Sequence, residues 1–205
     1  DYKEAFGHFS EANQRSRQYP PHAKVNRNHF LEMLAAIDSR LSRDWIDSWS
    51  ATPALQERRT PVFFFGFPRS GTTLVEQVVA SHPDIVTLDE QPAVDEMLGR
   101  LPGFPESYPD ALAKLTAAEI VQLRERYFET ADDFLKGAEG SLMNDKMPLN
   151  IVHVAMIWRV FPQAKMIFAL RHPKDVCLSC FMQNFEIAPA MANLFTLEEA
   201  ANLYG

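Results

Sequence analysis

The stretch Pro61-Val62-Phe63-Phe64-Phe65-Gly66-Phe67-Pro68-Arg69-Ser70-Gly71-Thr72-Thr73 decides how this chain is read. Its first five residues carry no charge, the pattern of a strand buried on both faces of a parallel sheet. Gly66 and Gly71 then stand at the spacing of a phosphate-binding loop. Beyond them Leu74, Val75, Val78 and Val79 recur at helical spacing, which predicts a helix with one face against the sheet, ending near Ser81 before His82-Pro83. Strand, glycine loop and helix in that order aim backbone N–H groups and a helix N-terminus at one spot. Such a spot holds an anion without any charged side chain.

A loop that serves nucleotide hydrolysis reads G-x-x-x-x-G-K-[ST], with its lysine on the β/γ-phosphates and its hydroxyl on Mg²⁺. Here Thr72 takes the lysine's place, and the positive charge sits earlier, on Arg69, whose guanidinium can fork onto two oxygens. A transferring sulfonate carries less negative charge than a transferring phosphoryl group. Hydrogen bonds and one or two basic side chains therefore stabilise its transition state without a metal. The missing lysine favours sulfuryl transfer.

With these residues the chain resembles the sulfotransferases that use 3′-phosphoadenosine-5′-phosphosulfate (PAPS), whose loop reads P-[KR]-S-G-T-[ST]. It is similar to the tyrosylprotein sulfotransferases and, more closely, to bacterial proteins in which tetratricopeptide repeats precede a sulfotransferase domain. The likeness covers roughly residues 60 to 205. It implies an α/β, P-loop-NTPase-like fold of three layers with a central parallel sheet, preceded by a short helical segment. It also implies that Pro68, Arg69, Ser70, Gly71, Thr72 and Thr73 bind the 5′-phosphosulfate. In the stretch Lys165 to Ser179, Arg171 ends an apolar strand and Ser179 follows in a helix entered at Pro173; the resemblance assigns both to the 3′-phosphate. Glu90, just past the short strand Ile85 to Leu88, falls at the offset of the general base in the tyrosylprotein branch. Lys146, in the strand-like run Ser141 to Pro148, matches the lysine that contacts the sulfonate or its bridging oxygen. The implied catalytic set is Glu90, Lys146 and Arg69.

The chemistry of these residue types agrees with those roles. An acceptor hydroxyl must lose its proton as it attacks, so a carboxylate within reach is needed. Strand alternation puts Asp89 and Glu90 on opposite sides, so only one is expected to face the site. Asp89 suits an N-cap for the helix opening near Gln91-Pro92, and it stands as the alternative base. A guanidinium at a strand's carboxyl end and a hydroxyl from the next helix can converge on one phosphate. Lys146-Met147-Pro148 departs from the K-x-H of cytosolic small-molecule sulfotransferases, which excludes a histidine base at that place.

The 205 residues, 46% hydrophobic and 23% charged, supply one main domain with an appendage. Residues 1–52 read as a helical lead-in. Tyr2, Ala5, Phe6, Phe9, Ala12 and Asn13 resemble the end of a tetratricopeptide-repeat region, which buries its apolar face only by stacking on neighbours. Pro20-Pro21 interrupts, and Phe30, Met33, Leu34, Ile37 and Leu41 mark a second amphipathic helix, with a shorter one near Asp44 to Trp49. Residues 53–205 form the sulfotransferase domain, and relative to the family the chain reads as clipped at both ends. The proline-rich run Leu101 to Pro109 reads as a connecting loop, with part of the rim of an acceptor pocket as the alternative. A long helix then opens at a capping box, Thr116 with Glu119, and shows Ile120, Leu123, Tyr127, Ala131 and Phe134 on one face. A helix over Ile151 to Val160 follows, and a second capping box pairs Thr196 with Glu199.

A net charge of −7 argues against long nucleic acid as a partner. No apolar run approaches the roughly 20 residues needed to cross a bilayer. Cys177 and Cys180 form a C-x-x-C inside a helix and read as small buried side chains, and two cysteines favour a cytoplasmic setting. The histidines show no metal-ligand spacing, so no catalytic metal is expected, and His153 reads as a core or rim residue. The rival readings are a metal-dependent kinase or hydrolase with a degenerate loop, and a non-catalytic repeat-protein scaffold. Peptide tyrosine, carbohydrate and small-molecule hydroxyls are all open as acceptors, and upstream repeats would offer a surface for a protein partner.

Overall fold

Phe63, Phe64 and Phe65 are all buried, and the strand that carries them has a neighbour on each side. The computed structural model describes residues 1–54, 60–136 and 142–205. Along the chain run helices α1 (Tyr2–Gln18), α2 (Pro20–Ala23), α3 (Arg27–Arg40) and α4 (Arg43–Asp47), then β1 (Val62–Gly66), α5 (Thr72–Ala80) and β2 (Ile85–Asp89). Next come α6 (Ala93–Leu98), α7 (Ala111–Lys114), α8 (Ala117–Leu135), β3 (Leu142–Lys146), a 3-10 helix over Pro148–His153, α9 (Val154–Val160), β4 (Lys165–Ala169), α10 (Pro173–Phe181) and α11 (Leu197–Tyr204). Ser141, expected to open the third strand, lies outside the described residues. The expected helix over Ile151 to Val160 is split, its first turn being 3-10.

The four strands pair in the order β2-β3-β1-β4, all parallel. Parallel crossovers are right-handed. The step from β1 to β2 runs across the sheet in the opposite sense to the steps β2 to β3 and β3 to β4. Helix α5 therefore lies on one face, with α8 and α9 on the other, which gives the three layers. Tyr127 of α8 and Phe161 at the end of α9 accordingly both pack on Phe63, with ring centroids 5.7 Å from it, and on each other at 5.1 Å. Because β2 and β3 lie to one side of β1 and β4 to the other, the loop after β1 leaves the sheet at its topological switch point. Open parallel sheets bind ligands there, at the strands' carboxyl ends.

Helix α8 opens with both halves of its capping box: the Thr116 hydroxyl accepts from the Glu119 N–H and the Glu119 carboxylate from the Thr116 N–H. Ile120, Leu123, Tyr127 and Ala131 are buried on its inner face. Phe134, expected with them, is 52% exposed because it lies at the end of the helix, past the aromatic cluster. On α5 the expected apolar face is also corrected. Leu74, Val75 and Val78 are exposed, and Thr72 and Glu76 are buried. The helix leaves the loop with Thr72 turned inward, so Glu76, four residues on, is turned inward with it, while Leu74, Val75 and Val78 are not.

Two buried arginines tie neighbouring segments to this core. Arg159 of α9 donates to the carbonyls of Leu112, Leu115 and Ser50 and to the hydroxyls of Thr52 and Ser50, at 2.8–3.0 Å. Arg124 of α8 donates to the carbonyls of Val160 and Pro53. The proline-rich run Leu101 to Pro109 is a series of turns.

The described residues divide into two compact units, one of residues 36–67 and 71–169, the other of residues 1–35, 68–70 and 170–205. The first contains the whole sheet. In the second, α1 packs on the end of α10: Phe6 stacks on Phe181 at 5.0 Å, and the Asn13 amide donates to the carbonyls of Phe181 and Phe195. Only half of the expected second capping box is made. The Thr196 hydroxyl accepts from the Glu199 N–H at 3.1 Å, while the Glu199 carboxylate turns to Arg17 and Arg27. Burial would raise the pKa of that carboxyl, but the two guanidinium groups outweigh it and hold it low.

Candidate functional site

Lys146 is the last residue of β3, and its Cα neighbours across the sheet are Asp89 on β2 and Phe64 on β1. Its side chain is 1% exposed, and its ammonium lies 2.5 Å from Asp89 Oδ1 and 2.6 Å from Glu90 Oε1. Asp89 and Glu90 therefore do not face opposite ways, contrary to the alternation argument. The reason is local. Glu90 has φ 49, in the left-handed region that a residue with a Cβ adopts at a cost, and this turn ends the alternation and brings its side chain round beside that of Asp89. The Glu90 N–H holds the turn by donating to the Lys146 carbonyl at 2.8 Å. Asp89 does not cap the next helix either: Pro92 holds the N-cap position of α6, and no side chain caps it.

The electrostatics of this cluster follow from its geometry. Burial works to lower the pKa of the Lys146 ammonium, but the hydrogen bonds it donates to Asp89 and Glu90 and their charges outweigh it and leave the pKa raised. The residue is a cation at neutral pH. Both carboxylates are about half exposed, at 53% and 54% of the side chain, so each keeps a wet side where another molecule can approach.

On the opposite side of β3, Asp145 accepts from the Tyr127 hydroxyl at 2.7 Å, and its other oxygen is buried without a partner. Burial is the main cause that pushes the Asp145 carboxyl up to about 7, with Asp95 adding and the Tyr127 hydrogen bond opposing. His153 is buried, its Nδ1 3.3 Å from the Tyr108 hydroxyl, and burial pushes its pKa down to about 4. It is a neutral core residue, as its apolar surroundings in sequence suggest.

The loop between β1 and α5 carries two further left-handed residues, Arg69 at φ 69 and Gly71 at φ 92. At Gly71 a Cβ would meet nothing within 4 Å, so glycine is required there by conformation and not by space. Gly71 is the N-cap of α5, and no side chain caps that end. Ser70 places its hydroxyl in a buried position with no hydrogen-bond partner, an orphaned polar atom of the kind that a ligand oxygen satisfies. Thr72 is buried and Thr73 exposed. In the first unit α5 thus begins with amides that no side chain caps, and in the second the Ser70 hydroxyl is in need of a partner; each is a donor of the kind that fits an oxygen of a phosphosulfate.

Arg69, Arg171 and Ser179 meet directly. Arg69 Nε donates to Ser179 Oγ at 3.1 Å, and an Arg171 guanidinium nitrogen donates to the Arg69 carbonyl at 3.2 Å. Arg171 stands two residues beyond β4, and its carbonyl accepts from the Tyr204 hydroxyl of α11 at 3.2 Å. His172 caps α10, its Nδ1 accepting from the Lys174 N–H at 3.3 Å, and Pro173 takes the first helical position. Sequence reasoning missed two supports of this group. One is Tyr204, which no spacing rule connects to Arg171. The other is Cys180, whose thiol donates to the Pro68 carbonyl at 3.3 Å. Burial pushes that thiol up to about 12, so Cys180 stays a protonated thiol at neutral pH. Cys177 is free and buried as well.

Among the described residues no group of three or more His, Cys, Asp and Glu side chains is arranged to hold a metal ion, and no helix is long and apolar enough to cross a membrane.

Residues 61–204 match the model of a sulfotransferase family. An uncharacterized protein of Aquifex aeolicus (strain VF5) is 30% identical over an alignment of 149 residues that covers 65% of this chain and 19% of that protein. The matched region thus spans about a fifth of the relative's length.

Proposed function

Because the chain belongs to the sulfotransferase family, we propose that it moves the sulfonate of PAPS to an acceptor hydroxyl by in-line transfer, with a carboxylate as general base. The observation that carries this reading is the buried Lys146 ammonium held 2.6 Å from Glu90, itself fixed at φ 49, just past the carboxyl end of β2. Strained backbone at such a position is the mark of a residue kept for chemistry.

When bound, PAPS supplies an activated sulfonate whose sulfur bonds to the acceptor oxygen as its bond to the 5′-phosphate oxygen breaks, leaving 3′-phosphoadenosine-5′-phosphate. Glu90 takes the proton released by the acceptor hydroxyl. Lys146 and Arg69 stabilise negative charge on the sulfonate and on the leaving oxygen. Pro68, Ser70, Gly71, Thr72 and Thr73 shape the loop that binds the 5′-phosphosulfate, and the orphaned Ser70 hydroxyl supports that assignment. Arg171 and Ser179 bind the 3′-phosphate, which sets PAPS apart from ATP. The acceptor is a hydroxyl of peptide tyrosine, carbohydrate or a small molecule. Residues 1–52 are read as the end of a tetratricopeptide-repeat region preceding the sulfotransferase domain at 53–205, in a cytoplasmic protein.

Calorimetry tests the donor. The expected result is that 3′-phosphoadenosine-5′-phosphate binds and that ADP with Mg²⁺ binds far more weakly. A preference for ADP with Mg²⁺ would overturn the reading in favour of a nucleotide kinase or hydrolase. Transfer of label from PAPS to a panel of hydroxyl acceptors then identifies the acceptor.

A further inference from the structure

Resting on the sulfonate-transfer reading above, we propose that Asp89 is the fixed anchor of Lys146 and Glu90 its exchangeable partner, so that two adjacent carboxylates divide positioning and proton acceptance between them. The two reach Lys146 by different routes. Asp89 and Lys146 are Cα partners in the parallel ladder, so their side chains leave the same face of the sheet by ordinary register. The Asp89 contact is therefore as fixed as the sheet. Glu90 lies one residue beyond β2 and reaches Lys146 because of its left-handed turn. Its backbone is clamped to the Lys146 carbonyl, but its longer, half-exposed side chain is free to swing about its own torsions without breaking any ladder bond.

The charges make the division workable. One ammonium faces two carboxylates, so Glu90 can leave while the buried cation keeps a counter-charge. Without Asp89 the departure of Glu90 would strand Lys146 as an unpaired buried charge, which is strongly unfavourable. An ammonium has three N–H donors. One stays on Asp89, and the one released by Glu90 becomes available to the leaving oxygen as the S–O bond to the 5′-phosphate breaks. Glu90 meanwhile accepts the proton of the acceptor hydroxyl as that oxygen bonds to sulfur. Atoms and charge balance with no further reactant. Among the described residues the charged groups that face Lys146 are Asp89 and Glu90 alone: β1 offers Phe64, and Asp145, next along β3, turns to the other face and Tyr127. Asp89 is thus a positioning residue acting through Lys146.

The test uses the intact protein with Asp89→Asn and Glu90→Gln. The Lys146 ammonium is titrated by ¹⁵N-lysine NMR without donor, its signal assigned by its loss in Lys146→Arg; kcat, KM and the pH–rate profile are then measured. Asp89→Asn is expected to lower the Lys146 pKa, to reduce kcat about tenfold with KM for the acceptor little changed, and to move the alkaline limb of the profile to lower pH. Glu90→Gln is expected to cost roughly 10²–10⁴ in kcat and to remove the acidic limb. The proposal is overturned if Asp89→Asn leaves both the Lys146 titration and the alkaline limb in place. It is equally overturned if Asp89→Asn takes the large loss and the acidic limb while Glu90→Gln is mild, since Asp89 would then be the base. A wild-type protein that neither binds 3′-phosphoadenosine-5′-phosphate nor transfers sulfonate sinks the functional reading instead, and the NMR titration still decides whether Asp89 anchors Lys146.

Discussion

Lys146 is buried while both of its carboxylate partners are half in water, and this asymmetry separates its effect on activity from its effect on stability. Replacing it with methionine removes the burial cost of the cation together with the pairing that offsets it and leaves Asp89 and Glu90 free to hydrate, so the fold is expected to lose little. Sulfonate transfer, which relies on the charge, is expected to fall by roughly 10² or more. Steady-state kinetics beside a thermal melt would check this, and a Lys146→Met protein that melts far below wild type with normal turnover would refute it. The sequence placed Lys146, Glu90 and the loop at strand ends because spacing relative to apolar runs is written in one dimension. It did not disclose that Asp89 and Glu90 share one ammonium, because the sign of φ at a glutamate is a tertiary outcome that no residue type announces.

Among the elements, α5 and α8 begin in opposite manners, and their beginnings have different uses. Helix α8 closes its own first turn with Thr116 and Glu119. Thr116→Ala is expected to lower stability by about 1 kcal/mol and to leave transfer activity at the wild-type level, measured by urea denaturation and by assay. Helix α5 leaves its first amides without a side-chain cap behind Gly71 at φ 92. Gly71→Ala is expected to cost about 1–2 kcal/mol and, unlike the Thr116 change, to weaken binding of 3′-phosphoadenosine-5′-phosphate, since the residue must keep the loop's shape. Equal binding by the two variants would contradict this. Both helix starts were legible as motifs. The inward face of α5 was not: Leu74, Val75 and Val78 have helical spacing, but the loop's exit direction sets which side of the helix meets the sheet, and those three are exposed.

At the scale of the whole molecule, two buried groups tilt the pH dependence of stability in opposite directions. His153 has its pKa pushed from 6.5 down to about 4, so its contribution is complete above pH 6.5 and is lost as pH falls toward 4. Asp145 is pushed from 3.8 up to about 7, so its contribution is complete below 3.8 and is lost as pH rises toward 7. His153 is worth about 3 kcal/mol and Asp145 about 4 kcal/mol, each over its window, and between pH 4 and 6.5 they oppose one another. Wild type is expected to show a flat profile there by urea denaturation. Asp145→Asn should uncover a stability that falls as the solution is acidified, and His153→Gln one that falls as it is made alkaline. A wild-type profile as steep as either variant would contradict the pairing.

The parallel sheet was legible from strand, loop and helix order, whereas the buried arginines were not. Arg159 and Arg124 donate to backbone carbonyls, and a backbone carbonyl carries no sequence signal. Arg159 has a kinetic consequence. Its five acceptors come from positions as far as 109 residues away in the chain, and none can be reached until α9 has docked. Closing so long a loop costs entropy before any bond repays it. The segment around Ser50 to Thr52 and helix α7 with Leu115 should therefore gain protection from hydrogen exchange late and in the same refolding phase, as one cooperative step governed by a single side chain.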